Sequence, residues 1–499
     1  MREAVGVRSV RLVVFVVGAA SLGAEIAAAR LLAPWFGAST IVWANTIATV
    51  LVSLSIGYWV GGRLADRDPT LRGLCRVVLL AAALLAAVPF VAGPFLRVSV
   101  EALDNVEAGA FAGSLVGVLV LLALPVLLLG TVAPFAIRLS VTSVEEAGRV
   151  SGRLYAISTI GSLVGVFLSA LVLVPFAGTR WTFLAFAIAL ACAAAVGLRR
   201  TGLVAATAML GLLALPQGTV KAVADGTVVE EADTEYQYAR VVRKDSGAVQ
   251  LELNEGQAIH SLRRPGTYLT GRYWDDMLVL PFAALGRAPR SVAILGNAAG
   301  TTARAYGHYF PDTRVDAVEI DPKLSEIGRR LFDMRGPNLH VHHADARPFL
   351  RRSAGGYDLI VVDAYRQPYV PFYLATKEFF ALVRDRLAPG GLVVINVGHP
   401  EGSDALEEVL TATMRTALPT VVREPTQDTN TMLIGSERAV TPARLVGAAM
   451  PSDLRPAADR AASLLGPGLP GGDVYTDDRA PVEWLIDASI LKVAAEGER

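Results

Sequence analysis

Apolar residues are unevenly distributed along this chain. Before residue 221 they form six long runs, at 13–32, 41–60, 77–96, 111–137, 157–175 and 182–198. Each is long enough to cross a bilayer as a helix. Glycine, alanine and serine recur inside these runs, which suits close helix packing in lipid. Prolines 89, 94, 125 and 134 are expected to kink the third and fourth helices. A further stretch, 201–220, has a short apolar centre blunted by Pro216-Gln217-Gly218, so the pattern allows six spans or seven. One cleavable leader does not account for so many runs.

From residue 222 the period changes. Short alternating runs at 227–230, 239–243 and 249–254, with the turn Asp245-Ser246-Gly247, predict a small β-rich lid. A helical stretch at 265–285 follows. Strands are then expected at 292–295, 315–320, 339–343, 357–362 and 392–397, with 421–422 and 432–434 closing the sheet. Helices fall between them at 301–309, 322–334, 376–387 and 404–418, the first capped by Thr301 and Thr302. Strands alternating with helices predict a parallel, doubly wound α/β sheet. The domain reading is a transmembrane helical part, 1–221, a lid with its following helix, 222–285, and a Rossmann-like nucleotide-binding part, 286–499.

Charge adds orientation. The 46 basic and 46 acidic residues cancel, so nothing points to a nucleic-acid partner. Arginines 2, 8 and 11, then 63, 67, 72 and 76, then 138, 149 and 153, then 199 and 200 flank alternate ends of the runs. The positive-inside rule puts the N-terminus in the cytoplasm, in a multi-pass protein with the lipid bilayer as a partner. Six crossings keep the second half there; seven place it outside. Glu25 lies inside the first run, and reads equally as a functional group or as a packing device. The segment 57–67 resembles a loop of major-facilitator transporters, and reads more plainly as tight packing followed by a basic anchor. Cys75 and Cys192 read as packing residues. They and His342-His343 lack the spacing of a metal site, so no metal is expected.

The chemistry gathers at strand ends. Gly296, Glu319, Asp345 and Asp363 stand at the carboxyl ends of four successive strands, where ligands bind in such sheets. Around them the sequence resembles the spermidine synthase family, of class I S-adenosylmethionine-dependent transferase fold. Glu235-Tyr236-Gln237 is similar to its Glu-Tyr-Gln entry, and Leu251 to Gln257 to its strand ending in Gln. Trp274-Asp275-Asp276-Met277 stands for its Tyr-His-Glu-Met, and Thr476 to Glu483 for its C-terminal Thr-Asp-Asp-x-x-Pro-Val-Glu. Arg30 to Pro34 and Leu154 to Ser162 resemble bacterial inner-membrane members fused to a helical bundle.

The resemblance implies a co-substrate, S-adenosylmethionine or its decarboxylated form, and no metal. Gly296 and Gly300 would shape the turn under its methionine part. Glu319 would hold the ribose, and Asp345 with Ala346 the adenine, while Gln237 and Gln257 would line the cleft. Tyr236, Trp274, Asp275, Tyr365 and Arg366 fall on the side of a small amine or other acceptor, with Asp363 orienting or deprotonating it. A homodimer is allowed. Two departures stand out: Ala299 replaces the aspartate of the glycine turn, and Arg366 the second aspartate of Asp-x-x-Asp. At ~4 Å and an effective dielectric near 20 that charge reversal is worth several kcal/mol against a cationic acceptor; the plainer reading pairs Arg366 with Asp363. Aminopropyl transfer, methyl transfer on the same fold, and a transporter-like or sensing membrane protein with a diverged nucleotide domain all stay open.

Overall fold

A computed structural model describes residues 2–36, 40–103, 109–215, 221, 223, 225–254, 258–365, 370–486 and 488–489. The chain divides into two compact units, Met1–Ala222 with Glu231–Tyr238, and Val223–Glu230 with Ala239–Arg499.

In the first unit, six helices among the described residues are long and apolar enough to cross a membrane: Arg8–Phe36, Val42–Arg67, Leu71–Ser99, Ala112–Ser140, Ala147–Ala177 and Thr179–Leu198. Small residues set how closely they pack. A Cβ on Gly161 would overlap the Phe15 carbonyl, and one on Gly165 the Ala19 carbonyl, so the first and fifth helices touch backbone to backbone. Ser162 Oγ donates to the Gly18 carbonyl (3.2 Å) and Ser169 Oγ to that of Gly23 (3.0 Å). The second and fourth helices meet the same way, Gly57 against the Leu127 carbonyl and Gly61 against Thr131. Gly165→Ala is therefore expected to separate the first and fifth helices and cost about 1–3 kcal/mol. A lowered thermal midpoint in detergent would show it; an unchanged midpoint would refute this crossing.

Two prolines of these helices follow widened turns. A π-helical turn at Leu119–Ala123 stands just before Pro125, and one at Ser169–Leu173 just before Pro175. Proline supplies no N–H and crowds the carbonyl four residues back, and the wider turn relieves both. The kinks expected at 89 and 94 take another form: both prolines sit inside one continuous helix, Leu71–Leu103.

A four-stranded sheet lies between residues 227 and 263, in the order β1 (Thr227–Asp233), β2 (Tyr238–Arg243), β3 (Val249–Leu253), β4 (Ile259–Arg263). The fourth strand was not expected. The helical stretch read at 265–285 shrinks to Tyr273–Val279 and Pro281–Leu285. Pro265 and two glycines in left-handed conformation, Gly266 and Gly271, break it.

The main sheet has eight strands: β5 (Ser291–Leu295), β6 (Arg314–Glu319), β7 (Leu339–His343), β8 (Tyr357–Val362), β9 (Leu387–Gly398), β10 (Thr420–Gln427), β11 (Asn430–Ser436) and β12 (Gly466–Pro467). Their order is β12-β10-β11-β9-β8-β5-β6-β7. β5 to β9 are mutually parallel, but β11 runs antiparallel to β9, and β10 to both β11 and β12. The sheet is thus mixed, not purely parallel, because only Asp428 and Thr429 join β10 to β11 and leave no room for a crossover helix. Apolar clusters cover both faces, one around Met277, Phe282 and Tyr306, the other around Leu350, Phe379 and Leu410. This is a three-layer Rossmann-like α/β domain. The helix begun at Pro322 stops at Leu331 because Asp333 turns left-handed (φ 56°). Two helices absent from the sequence reading, Pro442–Gly447 and Arg455–Leu464, complete one layer.

Candidate active site

Strand order reverses between β5 and β8, and a crevice opens beyond their carboxyl ends. The turn after β5 shapes its floor. Gly296 has φ +90°, and a Cβ there would collide with the backbone of Asp363 and Ala364. Gly300, also at φ +90°, seats Met334 where a side chain would stand. Ala298 adopts φ 46° without being glycine. Its N–H donates to Glu319 Oε2 (2.7 Å) and that of Asp321 to Oε1 (2.9 Å), so the carboxylate at the tip of β6 holds the turn in place. Ala298→Gly is expected to relieve the left-handed strain and stabilise the protein by about 1 kcal/mol. A thermal midpoint that falls would contradict that. Thr301 does not cap its helix; its hydroxyl accepts from Leu262 N–H (2.8 Å), while Gly300 occupies the cap position.

The crevice holds a cavity of about 570 Å³. Gly296, Trp274, Asp363 and Tyr365, expected from the sequence, all line it. Asp363 follows β8. Asn396 Nδ2 donates to its Oδ1 (2.8 Å), and Asn430 Nδ2 in turn to Asn396 Oδ1 (2.8 Å). Tyr273 Oη lies 3.4 Å from Asp363 Oδ2. Burial pushes the Asp363 carboxyl up to about 7, against hydrogen bonds from Asn396, Trp274 and Tyr273 that pull it down. The Tyr273 phenol is raised by burial and by Asp363, so it acts as a donor. Tyr365 is pinned at both sides of its oxygen, donating to the Asn396 carbonyl (2.7 Å) and accepting from Gly398 N–H (2.6 Å).

The other expected residues stand elsewhere. Glu319 is buried behind the turn, and burial pushes its carboxyl up to about 7 despite the backbone N–H groups of Asp321 and Ala298. Asp345 caps the helix Ala346–Arg352, accepting from Arg347 N–H (3.0 Å) and from Tyr373 Oη (2.6 Å), and Ala346 is buried beside it. Glu319, Asp345, Ala346 and Gly300 do not line the cavity. Asp275 is turned inward instead of toward an acceptor: its carboxylate takes the N–H groups of Thr270 (2.8 Å) and Gly271 (2.7 Å) and so ends the loop before its helix. Tyr236 and Gln237 belong to the first compact unit. Gln257 and Arg366 lie outside the described residues.

Sequence reasoning missed Tyr273, Asn396 and Asn430. Asn396 was the readable one, a carboxamide inside the apolar run Val393-Val394-Ile395-Asn396-Val397. Arg347 forms a two-pronged ion pair with Asp477 (2.7 Å to each oxygen), to which Thr376 Oγ1 also donates (2.7 Å). Behind the wall, Asp276 is fully buried, held by Arg460 and Thr426, and so fastens the helix bearing Tyr273 and Trp274 to β10.

Residues 273–435, from the first wall helix to the end of β11, match the spermine/spermidine synthase domain family. Within the second half of the chain, this stretch is similar to the spermine/spermidine synthase domain. Its relatives include a probable polyamine aminopropyl transferase of Bifidobacterium longum, 34% identical over 185 residues, 37% of this chain and 41% of that protein. A polyamine aminopropyltransferase of Mycobacterium tuberculosis is 29% identical over 340 residues, 62% of this chain and 61% of that one. This chain therefore spans between two fifths and about three fifths of these curated relatives. The crystal structure of a probable spermidine synthase from Corynebacterium glutamicum aligns with a TM-score of 0.39 at 20% identity, over 52% of this chain and all of that one. The matched stretch contains β5 to β11 and Asp363.

Proposed function

We propose that this protein is a membrane-anchored, spermidine synthase-like transferase. In this reading it binds S-adenosylmethionine or its decarboxylated form and alkylates a small amine or another nucleophile. The observation that carries it is Asp363, half-buried in the wall of a cavity at the sheet's switch point, with Asn396 and Tyr273 on its two oxygens. In this reading the nucleoside lies against Gly296, which lines the cavity, and the Glu319 carboxylate is assigned to the ribose by its place at the next strand end, although in the ligand-free fold its oxygens hold the Ala298 and Asp321 N–H groups. The sulfonium compound supplies an activated carbon, whose bond to sulfur breaks as the nucleophile's lone pair bonds to carbon. The residues of this chain position and deprotonate. Asp363 accepts the proton released by the attacking amine, and Trp274 and Tyr365 wall the reacting groups in.

Calorimetry on the full-length protein in detergent, with each sulfonium compound, tests this. Heat of binding from one or both is expected; none from either, in folded protein, would remove the transferase reading. The buried Ala299, whose N–H goes to Ser261 Oγ (2.9 Å), leaves the turn without a carboxylate for the ammonium group that both sulfonium compounds carry, so the turn does not choose between methyl and aminopropyl transfer.

The apolar helices are proposed as six membrane spans. The next helix, Arg200–Leu213, rises roughly 21 Å over its 14 residues, short of a hydrocarbon core of ~30 Å. An even number of crossings returns the chain to the cytoplasmic side on which the arginines place its N-terminus. A phosphatase reporter fused at Arg499 is expected to be silent; an active one would reverse the sidedness.

A further inference from the structure

The cavity wall carries few charges. Among the described residues it holds one carboxylate, Asp363, one guanidinium, Arg272, and the imidazoles of His260 and His399. His399 is engaged within the fold, its Nδ1 near the Pro400 carbonyl (3.0 Å) and its Nε2 near Thr431 Oγ1 (3.3 Å). Arg272 immediately precedes the helix that carries Tyr273 and Trp274. Its backbone N–H is taken by Thr270 Oγ1, but its exposed guanidinium has no hydrogen-bond or ion-pair partner among the described residues. It is thus a planar, permanently charged fork among the cavity-lining residues, with no partner among the described residues to occupy it.

Such a wall is poorly matched to a dication. One ammonium can meet Asp363, whereas a second finds no second carboxylate among the described lining residues and a like charge at Arg272. A ligand that carries a carboxylate satisfies the guanidinium in two-pronged fashion. We propose that the cavity recognises a carboxylate on one of its ligands, that Arg272 binds it, and that Arg272 thereby selects against doubly cationic compounds. This rests on the transferase reading above and narrows it. Two sources supply the group: the methionine end of the sulfonium compound, or an amino-acid acceptor.

The test has an arm for each, on the full-length protein in detergent, as wild type, Arg272→Gln and Arg272→Lys. In the first arm S-adenosylmethionine and its decarboxylated form, which differ by the carboxylate, are titrated by calorimetry. In the second, 4-aminobutanoate and butane-1,4-diamine, which differ by a carboxylate for an ammonium, are titrated into protein saturated with 5′-methylthioadenosine. The expected result is a preference of about tenfold or more for the carboxylate compound in at least one arm. Arg272→Gln should erase it and Arg272→Lys keep most of it. A wild type without preference in either arm, or a preference that survives Arg272→Gln, would overturn the proposal. If neither sulfonium compound binds, the transferase reading fails and takes this inference with it. If the sulfonium compounds bind alike and the second arm shows no preference either, the inference alone fails. Because the side chain is exposed and unpartnered, the variants should keep the wild-type thermal midpoint, which ties a change in selectivity to the charge.

Discussion

Asp363→Asn is expected to slow transfer by about 10²- to 10⁴-fold, the usual contribution of a positioned general base. The amide keeps the shape of the carboxylate, and its oxygen can still accept from Asn396 Nδ2. What disappears is the site that receives the amine's proton. Binding of the sulfonium compound should persist, since Glu319 and the turn are untouched. The carboxyl sits near 7 through burial, so its basic form grows as pH rises through that value. The turnover rate should therefore climb through about pH 7 and then level off, whereas a free amine acceptor titrates nearer ~10. The residual activity of Asp363→Asn should lack that rise. A variant with wild-type turnover would place the base elsewhere.

Glu319→Ala is expected to remove measurable binding of either sulfonium compound. It deletes the carboxylate proposed for the ribose, and it leaves the N–H groups of Ala298 and Asp321 without their acceptor. Each unmade bond of that kind costs about 1–3 kcal/mol, so the thermal midpoint should fall as well. Glu319→Gln separates the two effects, since an amide oxygen restores one acceptor but no charge. The sign of the pH effect follows from burial. The folded carboxyl sits at about 7, above its ordinary value of 4.5, so the folded state holds its proton more tightly than the unfolded chain. The stability from this group is complete below the ordinary value and is lost as pH rises toward 7. Asp363 contributes with the same sign. The ligand-free protein should thus melt at a lower temperature at about pH 8 than at about pH 5, with a shallower slope in Glu319→Gln. Ribose hydroxyls favour the ionised form, so affinity should rise over the same interval, with release of a proton detectable in buffers of different ionisation enthalpy. Affinity that is flat with pH would detach Glu319 from the ligand.

What could be read from the sequence was local. The apolar runs, the strand–turn–strand around Gly296 and the acid after β8 each announce themselves within a dozen neighbours, because period and turn chemistry are short-range signals. The partners of Asp363 were not legible in that way. Asn396 and Asn430 lie on β9 and β11, and only the sheet order brings them to β8. Asp275 and Asp276 show the same limit. They are adjacent in sequence, yet one closes its own loop and the other reaches Thr426 and Arg460, a difference set by which side of a helix each faces. The antiparallel end of the sheet was hidden for another reason: β10 buries only Val421 and Glu424 among half-buried neighbours and carries Pro425, and so gave only a two-residue apolar signal.

The clasp between Arg347 and Asp477, and Ile486 in the cavity wall, give the order of manufacture a meaning. A polypeptide emerging from the ribosome has produced every long apolar helix well before it reaches these positions. An arrested or clipped product ending short of Thr476 would therefore hold the six long apolar helices and a cavity missing one side. Readiness for chemistry is in this sense a late event, deferred until the segment that completes the enclosure has been translated and pinned.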